Sequence, residues 1–380
     1  MRLLPFLLLA AAPVAAQQVP VRTLAAPEAE LEESFDQVTA VRELSDGRVV
    51  VADRSAKRVA LADFRKGAVT TIGREGSGPN EYVMPAGAIA LPGDTTLVPD
   101  PQQQRFFVVK PDGTPGGTIP WPGFGPLGSV RGADRQGRIY ATGPRLALGP
   151  GGDAALRSGD LPDTVPVIRW TRAPSRVDTV GWVQGPKTNV NVSGGPNERR
   201  VMVRSQPISP QDDWHVAADG RLAVARVSDY HVEWWNGAER TRGPAVKYAP
   251  VPVTQADKDR VMAAMRNPRN RIVVTQGGPA RTPPPGPPPI PDSDWPATKP
   301  PFAAGGVEAN GLVSPAGEFW VRRSVAAGAA PVYDVFDGAG RQVRQVVLPK
   351  DTRVVGFGAR HVYVARTDAD ELQWLGRYAL

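Results

Sequence analysis

The sequence predicts an all-β fold, a ring of repeated four-stranded units, on three observations. First, one pattern recurs six times: an apolar strand, a tight Gly turn and a second apolar strand. The copies are Val38–Asp53 (VTAVRELSDGRVVVAD), Ala88–Asp100, Val130–Gly143, Trp214–Arg226, Ala309–Arg322 and Arg353–Arg366. Second, the glycines of these turns are spaced by 46, 44, 83, 97 and 41 residues, and about 40–45 is the pitch of a propeller blade. Third, the 380 residues include 40 Gly and 41 Pro, with almost no long stretch of helical periodicity, a composition that favours turns and short strands over helices. The fold class read from these observations is a six-bladed β-propeller with four antiparallel strands per blade.

Each unit is justified in order. The hairpin turns centre on Asp46-Gly47, Gly93-Asp94, Gln136-Gly137, Asp219-Gly220, Ala316-Gly317 and Gly358-Ala359, where Gly and Asp tolerate positive φ. Third strands are expected at Arg58–Asp63, Arg105–Lys110, Pro166–Thr171, Tyr230–Trp235, Val332–Phe336 and Leu372–Ala379. Fourth strands are expected at Val69–Ile72, Thr118–Trp121, Val177–Trp182, Arg242–Tyr248 and Gln342–Leu348. The sixth unit runs out of chain after three strands, so Val19–Ala25 is expected to return as its outer strand and close the ring. The two long intervals hold insertions. Thr188–Ser193 with Arg199–Ser205 is either a hairpin or part of a further blade. Residues 249–306 combine a helix signal over Val253–Asn267, begun by Thr254, with a Pro-rich, extended Gly277–Pro301.

Met1–Ala16 has an early Arg, a Leu/Ala run and small residues at Val14 and Ala16, the layout of a cleaved secretory signal. Residues 17–380 are then one propeller domain, exported to the periplasm or secreted, with no membrane span and no disulfide because there is no Cys. The net charge of +7 is scattered and alternates with acids, which argues against nucleic acid as a partner. A monomer is expected.

Strand order places the Gly turns and the third-to-fourth turns on one face, and every long loop on the other. These loops are Arg74–Pro85, Gly143–Val165, Gln184–Asp213, Ala249–Gly306 and Ser324–Ala330. Long loops on a rigid scaffold are where binding resides, so this face is the expected site. Second strands end there at Asp53, Asp100, Arg226, Arg322 and Arg366, a set that either binds an anionic group at the channel mouth or forms an ion-pair ring between blades.

Val51–Phe64 (VADRSAKRVALADF) and Val98–Val109 (VPDPQQQRFFVV) both place Asp five residues before Arg: Asp53 with Arg58, and Asp100 with Arg105. With the Gly-rich link Ile72–Leu91, this resembles the NHL repeat, and the chain resembles exported bacterial six-bladed propellers of NHL type. The resemblance implies the fold and a structural role for these four residues, without assigning an activity.

Some propellers of this shape are lactonases or lyases that use a channel metal. His215, His231 and His361 fall in different strands and do not suggest zinc. Asp53, Asp100 and the Asp368-Ala369-Asp370-Glu371 turn lie on the loop face as candidate calcium donors, with Arg nearby opposing cation capture. No nucleophile elbow or phosphate loop is present, and the Gly-rich Gly149–Gly159 reads as loop. Trp121, Trp234, Trp235 and Trp320 suit packing between blades. The reading is therefore a binding module without catalytic residues, metal or cofactor, recognising an envelope protein, a peptide or a glycan on the loop-rich face. The alternative is a calcium-dependent lactonase, hydrolase or lyase using channel-mouth carboxylates.

Overall fold

A computed structural model describes residues 19–122, 128, 130–145, 158–193, 200–266, 290–304 and 311–380. The signal segment Met1–Ala16, most of Gly149–Gly159 and the first half of the Pro-rich segment lie outside these residues. No helix among the described residues is long and apolar enough to cross a membrane.

The recurring pattern becomes six antiparallel sheets among the described residues, called blades one to six in chain order. Blade one is Val38–Glu43, Val49–Asp53, Arg58–Asp63 and Ala68–Thr71. Blade two is Ile89–Ala90, Thr96–Asp100, Arg105–Val109 and Pro115–Pro120. Blade three is Val130–Ala133, Ile139–Thr142, Thr164–Thr171 and Arg176–Gln184. Blade four is Asp213–Val216, Leu222–Arg226, His231–Asn236 and Glu239–Arg242. Blade five is Leu312–Val313, Phe319–Arg322, Val332–Phe336 and Gln342–Val347. Blade six is Thr352–Phe357, His361–Thr367 and Gln373–Ala379, with Ala29–Glu30 as its fourth strand.

Burial falls from the second strand outward. Val49–Asp53 and Thr96–Asp100 are buried at every residue, whereas Glu239–Arg242 is exposed at every residue. A second strand packs on both faces, which is why it reads as a continuous apolar run rather than an alternation. Six hydrophobic clusters fill the wedges between consecutive blades. Val50 and Val59 meet Val98 and Phe107 between one and two, and Phe106 meets Ile168 and Trp170 between two and three. Val167 meets Trp214 and Trp235 between three and four, and Trp234 meets Phe319 and Phe336 between four and five. Trp320 meets Val354 and Val362 between five and six, and Val51 meets Tyr363 and Leu375 between six and one. The architecture is a β-propeller, with its core distributed as radial wedges and a central channel lined by all six inner strands.

Turn chemistry follows expectation at the hairpins: Gly47 and Gly220 adopt φ of +85° and +89°, values an L side chain resists. Gly132 and Gly356 serve close approach instead. Both sit at bulges in inner strands, and a Cβ would come within 2.7 Å of Val216 Cγ1 and 2.4 Å of the Val41 carbonyl oxygen, respectively.

Two strand expectations are corrected, and one left open between a hairpin and a further blade is resolved. The fourth strand of blade four is Glu239–Arg242 rather than Arg242–Tyr248, because Asn236 pairs directly with Glu239 across a two-residue turn. Val19–Ala25 does not close blade six. Val21–Thr23 instead adds a parallel fifth strand outside Gln342–Val347 of blade five. Closure falls to Ala29–Glu30, paired with Arg377 and Gly376, and to a Phe35–Gln373 bridge. Thr188–Ser193 and Arg200–Ser205 form a hairpin that joins Gly159–Asp160 in a separate three-stranded sheet. The predicted helix is Gln255–Arg266. It is started by Thr254, whose hydroxyl donates to Asp257 at 2.8 Å while the Asp257 N–H donates to the Thr254 carbonyl.

Candidate functional site

The second-strand termini lie on the expected face, but none of the five lines the channel. Asp53 accepts N–H bonds from Asp36 (2.8 Å), Gln37 (2.9 Å) and Ala56 (3.2 Å). Asp100 accepts from Val83 (2.9 Å) and Met84 (3.2 Å). Burial pushes the Asp100 carboxyl up against these amides and the Arg105 charge. Both aspartates thus hold the link that leads into their own inner strand. The partner arginines grip the same links: Arg58 bonds Glu33, and Arg105 donates to the carbonyls of Ser77 (3.0 Å) and Glu81 (2.9 Å).

Arg226 spans Asp212 at 2.8 Å and Glu233 at 3.1 Å. Arg366 pairs with Glu30 of the closing strand at 2.9 Å. Arg322 ends the second strand of blade five, and its carbonyl accepts the Ala303 N–H at 2.9 Å. Asp368 closes its own turn, accepting from the amides of Asp370 and Leu372 at 3.0 Å and from Trp374 Nε1 at 2.7 Å. Among the described residues no group of three or more His, Asp or Glu side chains is placed to hold a metal ion.

The channel itself encloses about 340 Å³. Among the described residues its charged lining residues are Arg42, Arg131 and Arg353, with His215 beside them and no Asp or Glu. A hard cation needs oxygen ligands, so this lining does not fit one. Arg42 reaches the turn of blade two and pairs with Asp94 at 2.7 Å. Arg353 donates to the Val38 carbonyl of the neighbouring blade and to Gln373 Oε1 at 3.3 Å.

Arg131 of blade three packs on Trp214 of blade four, with its guanidinium carbon 5.8 Å from the ring centroid. It stands 3.5 Å from Asp213. Asp213 is fully buried and accepts the N–H of Trp214 and, from blade five, that of Gly311. Burial lowers the Arg131 pKa and raises that of Asp213, so desolvation outweighs their mutual attraction in both. His215 is pushed down to about 4 by burial and by the Arg131 charge. Its Nδ1 lies 2.9 Å from the Val216 carbonyl oxygen, an atom that can only accept, so the proton sits on Nδ1.

Sequence reasoning placed His215 on an inner strand but missed Arg131, Asp213 and Arg353 as a group. The available signal was positional: Arg131 and Arg353 are each the second residue of an inner strand, VRGA and TRVVGF.

Two insertions meet on the elaborated face. Gln206, after the three-stranded sheet, donates to the Asp294 carbonyl at 3.1 Å, and Gln211 to that of Ala304 at 2.7 Å. Between them lies a cavity of about 990 Å³ whose walls include Asp160, Lys187, Arg204, Met265, Ile290 and Asp294. The helix is tied down by Asp257, which accepts from Lys299 at 2.6 Å. The chain resumes the blades at Asp213 after the first insertion and at Gly311 after the second.

No protein-family model matches the chain, and no curated protein does. Solved structures resemble it in fold. A gluconolactonase from Xanthomonas campestris is 13% identical with a TM-score of 0.45, over 96% of this chain and 95% of that one. A Bacteroides fragilis protein described as exported is 10% identical with a TM-score of 0.49, over 95% and 99%. A streptogramin B lyase is 10% identical with a TM-score of 0.44, over 92% and 97%.

Proposed function

We propose that the chain is an exported propeller of NHL type that acts as a binding module, taking an envelope protein, peptide or glycan on its elaborated face. The observation that carries this reading is the cavity of about 990 Å³ between the two insertions, which lies at the upper end of the usual range for ligand sites. Export is supported by the signal-like Met1–Ala16. The NHL assignment is supported by the equivalent link-holding roles of Asp53 with Arg58 and Asp100 with Arg105.

The test is excision. The Val253 N–H donates to the Ala297 carbonyl at 3.0 Å, so the ends of residues 254–296 already adjoin and can be joined by a Gly-Asn turn. Immobilised wild-type chain is expected to retain a partner from envelope extract or a glycan or peptide array that the excised variant, still folded, does not. Equal capture by both would overturn the reading.

A second reading is a calcium-dependent lactonase, hydrolase or lyase; a gluconolactonase and a streptogramin B lyase are among the structures of similar fold. Its carboxylates would have to come from outside the described channel lining, which holds none among the described residues. Hydrolysis of a lactone and ester panel that is lost in EDTA and restored by Ca²⁺ would put it first.

A further inference from the structure

We propose that the channel is a second site, distinct from the insertion cavity, that binds a small oxyanion bearing a hydroxyl: the acidic group on Arg131, the hydroxyl on His215. The Arg131 side chain is 8% exposed, and its Nε and Nη1 have no hydrogen-bond partner. A buried guanidinium with unmet donors is costly, and an acceptor supplied from the adjoining cavity removes that cost. Asp213 does not supply it in this structure. That carboxylate stands 3.5 Å from Nη2 and already accepts two backbone N–H groups.

The surroundings favour an anion. Among the described residues, the charged ones lining the cavity are all arginines, and a narrow, low-dielectric channel concentrates their field. Guanidinium suits either a carboxylate or a phosphate.

His215 narrows the class. With its proton on Nδ1 toward the Val216 carbonyl, the neutral ring presents Nε2 as a bare acceptor, and no described residue bonds it. It calls for a donor, which a hydroxyl supplies and a second anionic oxygen does not. A volume of about 340 Å³ sits near the lower limit for ligand pockets, so the ligand is a small hydroxy acid or a phosphorylated alcohol.

The test uses residues 17–380 and thermal unfolding at matched ionic strength. The probes are glycolate against acetate, glycerol 3-phosphate against inorganic phosphate, and chloride as reference. A hydroxylated member is expected to raise Tm saturably by a few degrees at about 100 times its dissociation constant, and its hydroxyl-free counterpart to do less. Whether glycolate or glycerol 3-phosphate acts decides carboxylate against phosphate. In the paired variant R131M/D213N, which removes both buried charges together, the saturable shift is expected to vanish. In H215F the oxyanion is expected to bind while the preference for the hydroxyl disappears. Equal Tm in all five salts overturns the proposal on wild-type protein alone, whether or not the variants fold. A shift that survives undiminished in R131M/D213N overturns it as well.

Discussion

Phe35→Ala tests where the ring is closed. Phe35 is 2% exposed and packs with Val38, Tyr363 and Leu375 in the wedge between blades six and one. Its N–H and C=O both bond Gln373, each at 2.7 Å. Truncating a buried Phe costs about 3–5 kcal/mol. The comparison is deletion of residues 19–23. All three residues of the strand Val21–Thr23 are exposed, Val21 at 61%. Each ordered residue costs about 1–2 kcal/mol of backbone entropy, and each hydrogen bond returns a net of about 0.5–1.5 kcal/mol, so the strand contributes close to nothing. Urea unfolding followed by Trp fluorescence should show a lowered midpoint for Phe35→Ala at unchanged m-value, and almost none for the deletion. If the deletion costs as much as Phe35→Ala, the outer parallel strand holds the ring and the closure argued here is wrong.

Three further outcomes are expected. Tyr230 is buried and donates its hydroxyl to Asp334, which retains Arg323 at 2.9 Å and Gln342 at 2.7 Å, so Tyr230→Phe should cost about 1.5–3 kcal/mol in urea unfolding. Asp53→Ala strands the amides of Asp36, Gln37 and Ala56 and should cost about 3 kcal/mol, with Asp53→Asn recovering part. Folded His215 takes up its proton only near pH 4, whereas the unfolded imidazole does so near 6.5. The unfolded state therefore binds more protons between these values. The stability this contributes, up to about 3 kcal/mol, is whole above about pH 6.5 and is lost as the pH falls toward 4. His215→Gln should flatten that stretch of the stability–pH curve.

What was legible in the sequence was local. Apolar alternation, Gly turns and the helix start at Thr254 are encoded within a few residues, and they located the inner three strands of most blades. The outer strands were harder. Glu239–Arg242 is exposed throughout, so no apolar pattern marks it, and the expectation slid to the more apolar Arg242–Tyr248. Ala29–Glu30 is a polar dipeptide whose partners lie at Gly376 and Arg377, and nothing in its own composition encodes that pairing. The channel cluster failed for a similar reason. Arg131, Asp213 and Gly311 belong to three consecutive blades, and only the packing of each blade on the next brings them together.

The charges at the second-strand ends lie outside the described channel lining and are tied into the scaffold. Asp53, Asp100, Arg226 and Arg366 each bond links, neighbouring strands or the closing segment. A ligand would first have to displace those partners. Arg131 differs in having two buried nitrogens without one. The contrast separates two kinds of variant. Arg226→Ala removes the cationic partner of Asp212, which is 3% exposed and keeps only the Gln184 and Val227 amides, and should lower stability while the folded fraction keeps its full response to the channel anion. R131M/D213N should retain the fold and lose that response. If Arg226→Ala abolished anion binding in protein that circular dichroism shows to be folded, the second-strand ring would be the binding surface after all, and the division between engaged and unmet donors would not predict function in this propeller.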